Sequence, residues 1–496
     1  MAAKTRVYLA GDFGAESGRV MAGLFDGRTL SLEEVHRFPN EPVRLPDGLH
    51  WDVLRLFHEL KNGLRAAIRR YGAATVSVGV DTWGVDFGLL DRRGALLGNP
   101  WHYRDARTEG VMETAFRRVP REEIYRRTGI QFMPLNTLYQ LYAMVRARDP
   151  HLEIASALLF MPDLFHYWLT GRRANEWTIA TTSQCMDPNR RRWARALLQA
   201  LQIPTRLFGE IIEPATALGP LRSDVAEDIG ARHLNVVAAA GHDTACAVVG
   251  APLSGQDEAY ISSGTWSLMG VEWPHPVIND DSLACNFTNE GGAFGMTRLL
   301  KNIMGLWIVQ ECRRAWKAAG EDLDYATLTA MAAKATPFAA LVDVGDPIFF
   351  HPGGMPERIA RHCRATRQKP PADKATTVRA VLEGLALTYR RTLQDLERLT
   401  GTPIRRIHII GGGSQNDLLN QFTADATGRP VSAGPVEATA AGNILLQLIA
   451  DGRLAGREEA RALVRRSFPA KTFEPRDTAS WDAAAARFNE LHARRT

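Results

Sequence analysis

Val7-Tyr8-Leu9-Ala10-Gly11-Asp12-Phe13-Gly14-Ala15-Glu16-Ser17-Gly18-Arg19-Val20 is the stretch on which the reading of the chain turns. A β-branched and aromatic run enters Gly11, Gly14 and Gly18 belong to a tight turn, and a second apolar run starts at Val20. The pattern predicts a strand, a glycine turn and a return strand. Such a turn aims several backbone N–H groups at one point, which suits an anion. Asp12 stands at its mouth, where a carboxylate can hold Mg²⁺ through water. The same residues also describe an ordinary solvated hairpin, so the case for phosphate depends on the rest of the chain.

Working outward, residues 20–25 and 30–38 continue as strands, with Gly27 marking the turn between them. Residues 51–70 carry Val53, Leu56, Phe57, Leu60, Leu64 and Ile68 at helical spacing, ended by Gly72. Residues 76–81 read as a buried strand with Asp81 at its C-terminal end, and 85–90 as a returning strand. Strand, strand, strand, helix, strand is a mixed α/β order. Residues 107–201 show few strand signals and read as a helical insertion. A short strand over 236–240 enters Gly241-His242-Asp243-Thr244, and a helix follows to Gly250. Ala251-Pro252-Leu253-Ser254-Gly255 breaks the pattern and marks a domain boundary, giving domains over 1–250 and 256–496.

The second half opens in the same way. Residues 258–271 read as strand, glycine turn and strand around Ser262-Ser263-Gly264-Thr265. A helix over 377–399, a strand over 404–410, Gly411-Gly412-Gly413-Ser414 and a helix over 417–427 follow, with a terminal helix over 481–492. One strand–glycine-turn–strand unit in each half is a weak internal repeat. Two copies of one domain facing each other would bring both turns to a shared cleft.

Composition bounds the chemistry. A chain of 496 residues is too long for one core and calls for two or three domains. With 45% hydrophobic and 23% charged residues it has the make-up of a soluble globular protein. The 60 basic residues are spread along the chain against 55 acidic ones, and the net charge of +5 points to no nucleic-acid tract. No apolar run reaches membrane-spanning length, and no signal peptide opens the chain. Five dispersed cysteines without a C-x-x-C pair indicate neither zinc nor a disulfide framework and suit a reducing cytosol. The expected partners are therefore small molecules, with neither nucleic acid nor membrane.

The common nucleotide and hydrolase motifs are absent: G-x-x-x-x-G-K-[ST], G-x-G-x-x-G after a strand, H-E-x-x-H and G-x-S-x-G. Ser262-Ser263-Gly264-Thr265 offers hydroxyls and N–H groups to a phosphate, or is a plain hairpin. Three consecutive glycines at 411–413 let another molecule approach the backbone closely, or serve tight helix–strand packing. Asp243, after a strand and before a helix, is either an N-cap or a general base at the strand's C-terminal edge. His242 beside it can donate to a substrate hydroxyl or be structural. Asp81-Thr82-Trp83-Gly84-Val85-Asp86 combines polar groups with an indole, as carbohydrate sites do, or is a turn with a core tryptophan. Lys301-Asn302-Ile303-Met304-Gly305-Leu306-Trp307 and Gln310 read as the start of a helix that presents Asn302 and Gln310 on one broad face.

In this order and spacing the motifs resemble the FGGY carbohydrate kinases over roughly residues 7–450. The resemblance implies an α/β fold of two actin-like (ribonuclease H-like) ATPase domains flanking a central cleft. It implies ATP and Mg²⁺ as cofactors and a small sugar as substrate, in a cytoplasmic monomer or homodimer. Residues 81–87 and 301–307 are most similar to the branch that phosphorylates the 1-hydroxyl of L-rhamnulose. By that resemblance Asp243 is the proton acceptor, and Gly84, His242, Thr244 and Asn302 contact the sugar. Ala15, Glu16, Ser17, Gly18, Arg19, Thr265, Gln310 and Gly412 contact ATP, and Asp12 orients Mg²⁺. Glu16 departs from the small hydroxyl residue common at its position, and a carboxylate facing phosphate repels it. The alternatives are a family member acting on another ketose or polyol such as fuculose or xylulose, a non-catalytic sugar sensor, and an actin-like or chaperone-like ATPase.

Overall fold

The computed structural model describes residues 5–493 and divides into two compact units. Among the described residues the first comprises 5–252, 272–299 and 438–468, and the second comprises 253–271, 300–437 and 469–493. The chain crosses between the units several times, because two later segments return to the first unit.

The first unit is built on a six-stranded sheet. Its strands run Thr216–Pro220, Asn235–Ala238, Thr75–Thr82, Arg6–Phe13, Ser17–Phe25 and Leu30–Pro39 in spatial order. Arg6–Phe13 is central, antiparallel to Ser17–Phe25 and parallel to Thr75–Thr82, and is buried from Val7 onward. That is why it reads as a continuous apolar run and not as an alternating one. The helix Val53–Tyr71 packs with Val53, Leu56, Leu60, Leu64 and Ala67 buried at helical spacing. Asp52 caps it by accepting from Arg55 N, and Gly72 ends it at φ 51°.

The returning helix Ala438–Ala450 lies against Asp243–Val249 at a distance that excludes side chains. A Cβ on Gly442 would overlap the Cys246 carbonyl, and one on Gly250 the Ala438 carbonyl. The expected insertion folds as a largely helical body around Ile124, Tyr125, Leu138, Tyr139 and Trp177, joined by short strands.

In the second unit, strands Trp266–Trp273, Glu258–Ser263, Arg406–Ile410, Val431–Ala433 and Lys471–Phe473 follow one another in the sheet. The Glu258–Ser263 strand is antiparallel to Trp266–Trp273 and parallel to Arg406–Ile410. The long helix Lys374–Thr400 begins with a capping box between Asp373 and Thr376 and stops at Gly401 in the left-handed region. The terminal helix Thr478–Ala493 sets Trp481 against Phe338 and Phe422, with ring centroids 5.0 and 5.3 Å apart.

Two local expectations are corrected. Residues 297–304 form a strand, and the next helix is Trp307–Ala318. Between them Gly305 lies so close to Ser267 that a Cβ would meet its nitrogen at 2.7 Å. Asn302 and Gln310 therefore do not share a helix face. The first return strand also starts at Ser17, not at Val20, so the turn shrinks to a bend at Ala15–Glu16.

Candidate active site

In the first unit the chain gathers three carboxylates at neighbouring strand ends. Asp12 is the register partner of Asp81 on the parallel strand and of Arg19 on the antiparallel one. Cross-strand partners share a face, which is why Arg19 Nη2 reaches Asp12 Oδ2 at 2.6 Å. Asp81 is fully buried and accepts from Asn443 Nδ2 at 2.6 Å. Burial, then the nearby Asp12 and Asp243 charges, push its carboxyl well above the usual range. Its Oδ1 accepts no protein hydrogen bond.

The bend that opened the sequence reading is tightly tied. Gly14 N donates to Ser17 O at 3.0 Å, Asn40 Nδ2 donates to Gly14 O at 2.8 Å, and Asn40 N donates to Glu16 O at 3.0 Å. Ala15 is half-buried and Glu16 exposed at the tip, while Ser17, Gly18 and Arg19 already lie on the strand. Gly18 is small because of packing: a Cβ there would overlap the Phe38 ring.

The Gly241–Thr244 turn is held from behind by buried groups. Glu176 Oε2 accepts from Gly241 N at 2.8 Å while also capping the helix Trp177–Thr182 through Thr178 N and Ile179 N at 2.8 and 3.1 Å. Thr178 Oγ1 accepts from His242 N at 3.2 Å. From the other side, His242 Nδ1 lies 3.2 Å from Glu290 Oε2 and 3.1 Å from Arg298 Nη2, with Glu290 and Arg298 paired at 3.0 Å. His242 Nε2 lies 3.3 Å from Asp243 Oδ1.

His242 occupies the N-cap, so Asp243 is the first helical residue and not the cap. Its side chain stays 29% exposed while Asp12 and Asp81 are buried. Burial first, then the Asp12 charge, raise its pKa above the ordinary carboxylate value, partly offset by His242 and by the Thr244 N–H. Thr244 is buried, and its hydroxyl lies 3.2 Å from Asp243 Oδ1. Gly84 faces the same turn: a Cβ there would sit 3.4 Å from His242 Nε2. Asp12, Arg19, Asp81, Gly84, His242, Asp243 and Thr244 thus all gather at one end of the inner strands of the first unit's sheet. Carboxylate oxygens of this kind fit a hard divalent cation, which keeps several waters and needs one or two protein carboxylates. Among the described residues no group of three or more His, Cys, Asp or Glu forms a closed metal cage.

In the second unit the turn after Ser263 is stitched to the head of the Trp307–Ala318 helix. Leu306 N donates to Gly264 O at 3.0 Å, Trp307 N to Thr265 O at 3.1 Å, and Gln310 Nε2 to Thr265 Oγ1 at 3.4 Å. Thr265 and Gln310 are therefore neighbours. The glycine triplet divides its duties. Gly411 takes φ 83°, and a Cβ on Gly413 would overlap the Ser263 hydroxyl. Only Gly412 is exposed with nothing near its missing Cβ. Asn302 is half-buried on its strand.

Sequence reasoning missed the supporting groups Glu176, Glu290, Arg298 and Asn443. One signal was present: Asn443 and Gln447 are two amides one helical turn apart in a largely apolar helix without a charged residue. Gln447 Nε2 donates to Leu9 O at 2.8 Å, beside the Asn443 bond to Asp81.

Among the described residues no helix is long and apolar enough to cross a membrane. The model of the N-terminal domain of the FGGY family of carbohydrate kinases matches residues 7–250, and that of the C-terminal domain matches 259–450. A rhamnulokinase of Bacteroides thetaiotaomicron is 44% identical over 481 residues, covering 97% of this chain and 98% of the relative. One from Pectobacterium carotovorum is 42% identical, with 97% and 96% covered, and one from Bacillus subtilis is 39% identical, with 95% and 96% covered. A gluconate kinase crystal structure from Lactobacillus acidophilus superposes with a TM-score of 0.82 at 15% identity, covering 99% of this chain and 98% of that one. A ligand-bound xylulose kinase from the same organism gives 0.81 at 16%, with 98% of both chains covered. These structures share the α/β fold of this chain along nearly its whole length. The chain belongs to the FGGY family of carbohydrate kinases.

Proposed function

We propose that the protein transfers the γ-phosphoryl group of ATP to the 1-hydroxyl of L-rhamnulose. The observation that carries this reading is Asp243: a carboxylate left partly exposed beside Gly84 and His242, on a turn whose other polar groups are buried and bonded. The rhamnulokinase relatives support the choice of sugar. Asp243 takes the hydroxyl proton as the sugar oxygen attacks the γ-phosphorus, and the bond to the ADP oxygen breaks. The pKa, raised by burial above the ordinary carboxylate value, makes Asp243 a stronger base toward that proton.

Gly84, His242, Thr244 and Asn302 are assigned to the sugar. Ala15, Glu16, Ser17, Gly18, Arg19, Thr265, Gln310 and Gly412 are assigned to ATP. Glu16 is exposed and its carbonyl is held by Asn40, which favours backbone and not carboxylate contact with phosphate. Arg19 would exchange Asp12 for the nucleotide, freeing Asp12 to hold Mg²⁺ through water. Mg²⁺ supplies charge neutralisation on the phosphates. Positioning by these residues, together with that neutralisation, is the main source of acceleration in phosphoryl transfer. Cys185, Cys246, Cys312 and Cys363 are free thiols, in keeping with work in a reducing cytosol.

A coupled ADP-release assay across L-rhamnulose, L-fuculose, D-xylulose and glycerol tests the proposal. The expected result is a kcat/KM for L-rhamnulose well above the others. Preference for another sugar would replace the substrate, and ADP release independent of any sugar would overturn the kinase reading.

A further inference from the structure

The Gly84 turn is held in a conformation its own sequence disfavours. Val85, a β-branched residue, takes φ 68° and is buried. A positive φ on such a residue is an outlier that persists only where surrounding contacts over-determine it. Here Thr182 Oγ1 accepts from Val85 N at 3.2 Å, Thr137 Oγ1 donates to Val85 O at 2.6 Å, and Asp86 N donates to Gly84 O at 3.0 Å. Trp83 N donates to Phe13 O at 3.1 Å on the other side.

The next residue, Asp86, is fully buried and collects donors from four separate places in the chain. Its Oδ2 accepts from Trp51 Nε1 at 2.6 Å, Trp83 Nε1 at 2.9 Å and Tyr103 N at 3.2 Å, and its Oδ1 from Gln140 Nε2 at 2.8 Å. The two indoles lie against each other with centroids 4.1 Å apart. The countercharge is one amide away, since Arg107 Nη2 donates to Gln140 Oε1 at 2.7 Å. Burial pushes the Asp86 carboxyl up to about 6, so the four bonds are what keeps a charge tolerable there. An apolar side chain would fill such a core without that cost. A buried carboxylate with donors on both sides of the turn ties the geometry of the turn to its own.

We infer that Asp86 is a positioning residue for the sugar: by clamping Trp51 and Trp83 it holds the strained Gly84–Val85 peptide against His242, and so sets sugar affinity. This inference rests on the assignment of Gly84 to the sugar. An Asn at this position offers one acceptor oxygen where the carboxylate offers two, so it cannot serve the three donors on Oδ2 and the one on Oδ1 together. Val85 is then released toward ordinary φ values, and the Gly84 peptide moves with it.

The test is steady-state kinetics with L-rhamnulose and ATP for wild type, Asp86→Asn and the double variant Asp86→Asn/Val85→Gly. The expected result for Asp86→Asn is a 10–100-fold rise in KM for L-rhamnulose, with KM for ATP and kcat at saturating sugar within about 3-fold of wild type. Glycine adopts φ near 68° without strain, so the double variant should recover at least 5-fold of the lost KM. A purely structural role would lower the active fraction and leave KM for the sugar unchanged, and that result overturns the inference, as does a double variant no better than Asp86→Asn. Wild-type enzyme without turnover of L-rhamnulose overturns the functional reading and this inference with it; an active wild type with an unshifted Asp86→Asn KM overturns the inference alone.

Discussion

Replacing Glu176 by Ala should disable the Gly241–Thr244 turn without touching any residue assigned to substrate. The carboxylate is fully buried, and its Oε2 accepts from Gly241 N, Thr178 N, Ile179 N and Thr178 Oγ1. Losing the cap of the Trp177–Thr182 helix costs about 1 kcal/mol. Orphaning the buried Gly241 N–H adds about 1–3 kcal/mol. Together they give roughly 2–4 kcal/mol, or a drop of roughly 3–6 °C in the thermal midpoint for a unit of this size.

The released turn carries Asp243, and a shift of about 1 Å in a reacting group costs on the order of 10²-fold in rate. Glu176→Gln is the informative control. Its amide oxygen can take the place of Oε2, and its NH₂ would stand at Oε1, which accepts no protein hydrogen bond. Beside it lies Asp163, whose carboxyl is raised by burial and then by the Glu176 charge, so the neutral amide also removes a repulsion. Glu176→Gln should therefore keep its thermal midpoint and at least a third of wild-type kcat. Differential scanning fluorimetry and the ADP-release assay read both quantities. If Glu176→Ala melts within about 1 °C of wild type, or if Glu176→Gln is as damaged as Glu176→Ala, then acceptor geometry at Oε2 does not hold the turn.

Asp243→Asn keeps the shape but removes the base, and should lower kcat by roughly 10²–10⁴-fold with KM for ATP little changed. Because burial raises the Asp243 pKa above 3.8, wild-type kcat should fall on the acid side with a midpoint above that value, and the acid limb should be absent from the residual activity of Asp243→Asn. Gly442→Ala forces a Cβ into the Cys246 carbonyl, whose helix cannot yield locally; a loss of about 1–3 kcal/mol in chemical denaturation is expected. Gly412→Ala meets nothing and keeps a negative φ, so stability should stay within about 0.5 kcal/mol while KM for ATP rises, as equilibrium unfolding and kinetics would show.

Patterns that repeat along the chain were legible in the sequence by itself. The apolar run at residues 7–10 announced a strand, which the structure extends to Arg6–Phe13 and buries on both faces. The helical spacing of Val53–Tyr71 announced its buried face. The glycine-bearing turns and Gly241-His242-Asp243-Thr244, in their order, carried the family resemblance that the matches to residues 7–250 and 259–450 bear out.

What only the tertiary structure decided depends on contacts between distant residues. Whether a strand pattern continues into a helix at 301–307 is settled by Gly305 pressing on Ser267, far earlier in the chain. Two glycines of the 411–413 triplet serve packing on Ser263, so their number overstated the space left for a ligand. Glu176, Asp86 and Arg298 look like ordinary polar residues in the sequence, because a buried group is defined by its partners. Their partners, Gly241, Trp51 and Glu290 among them, come beside them only when strands and helices from separate segments pack. Local spacing carries the periodicity of an element, but the environment that moves a carboxyl's pKa or orients a turn is built by long-range burial, which spacing alone does not encode.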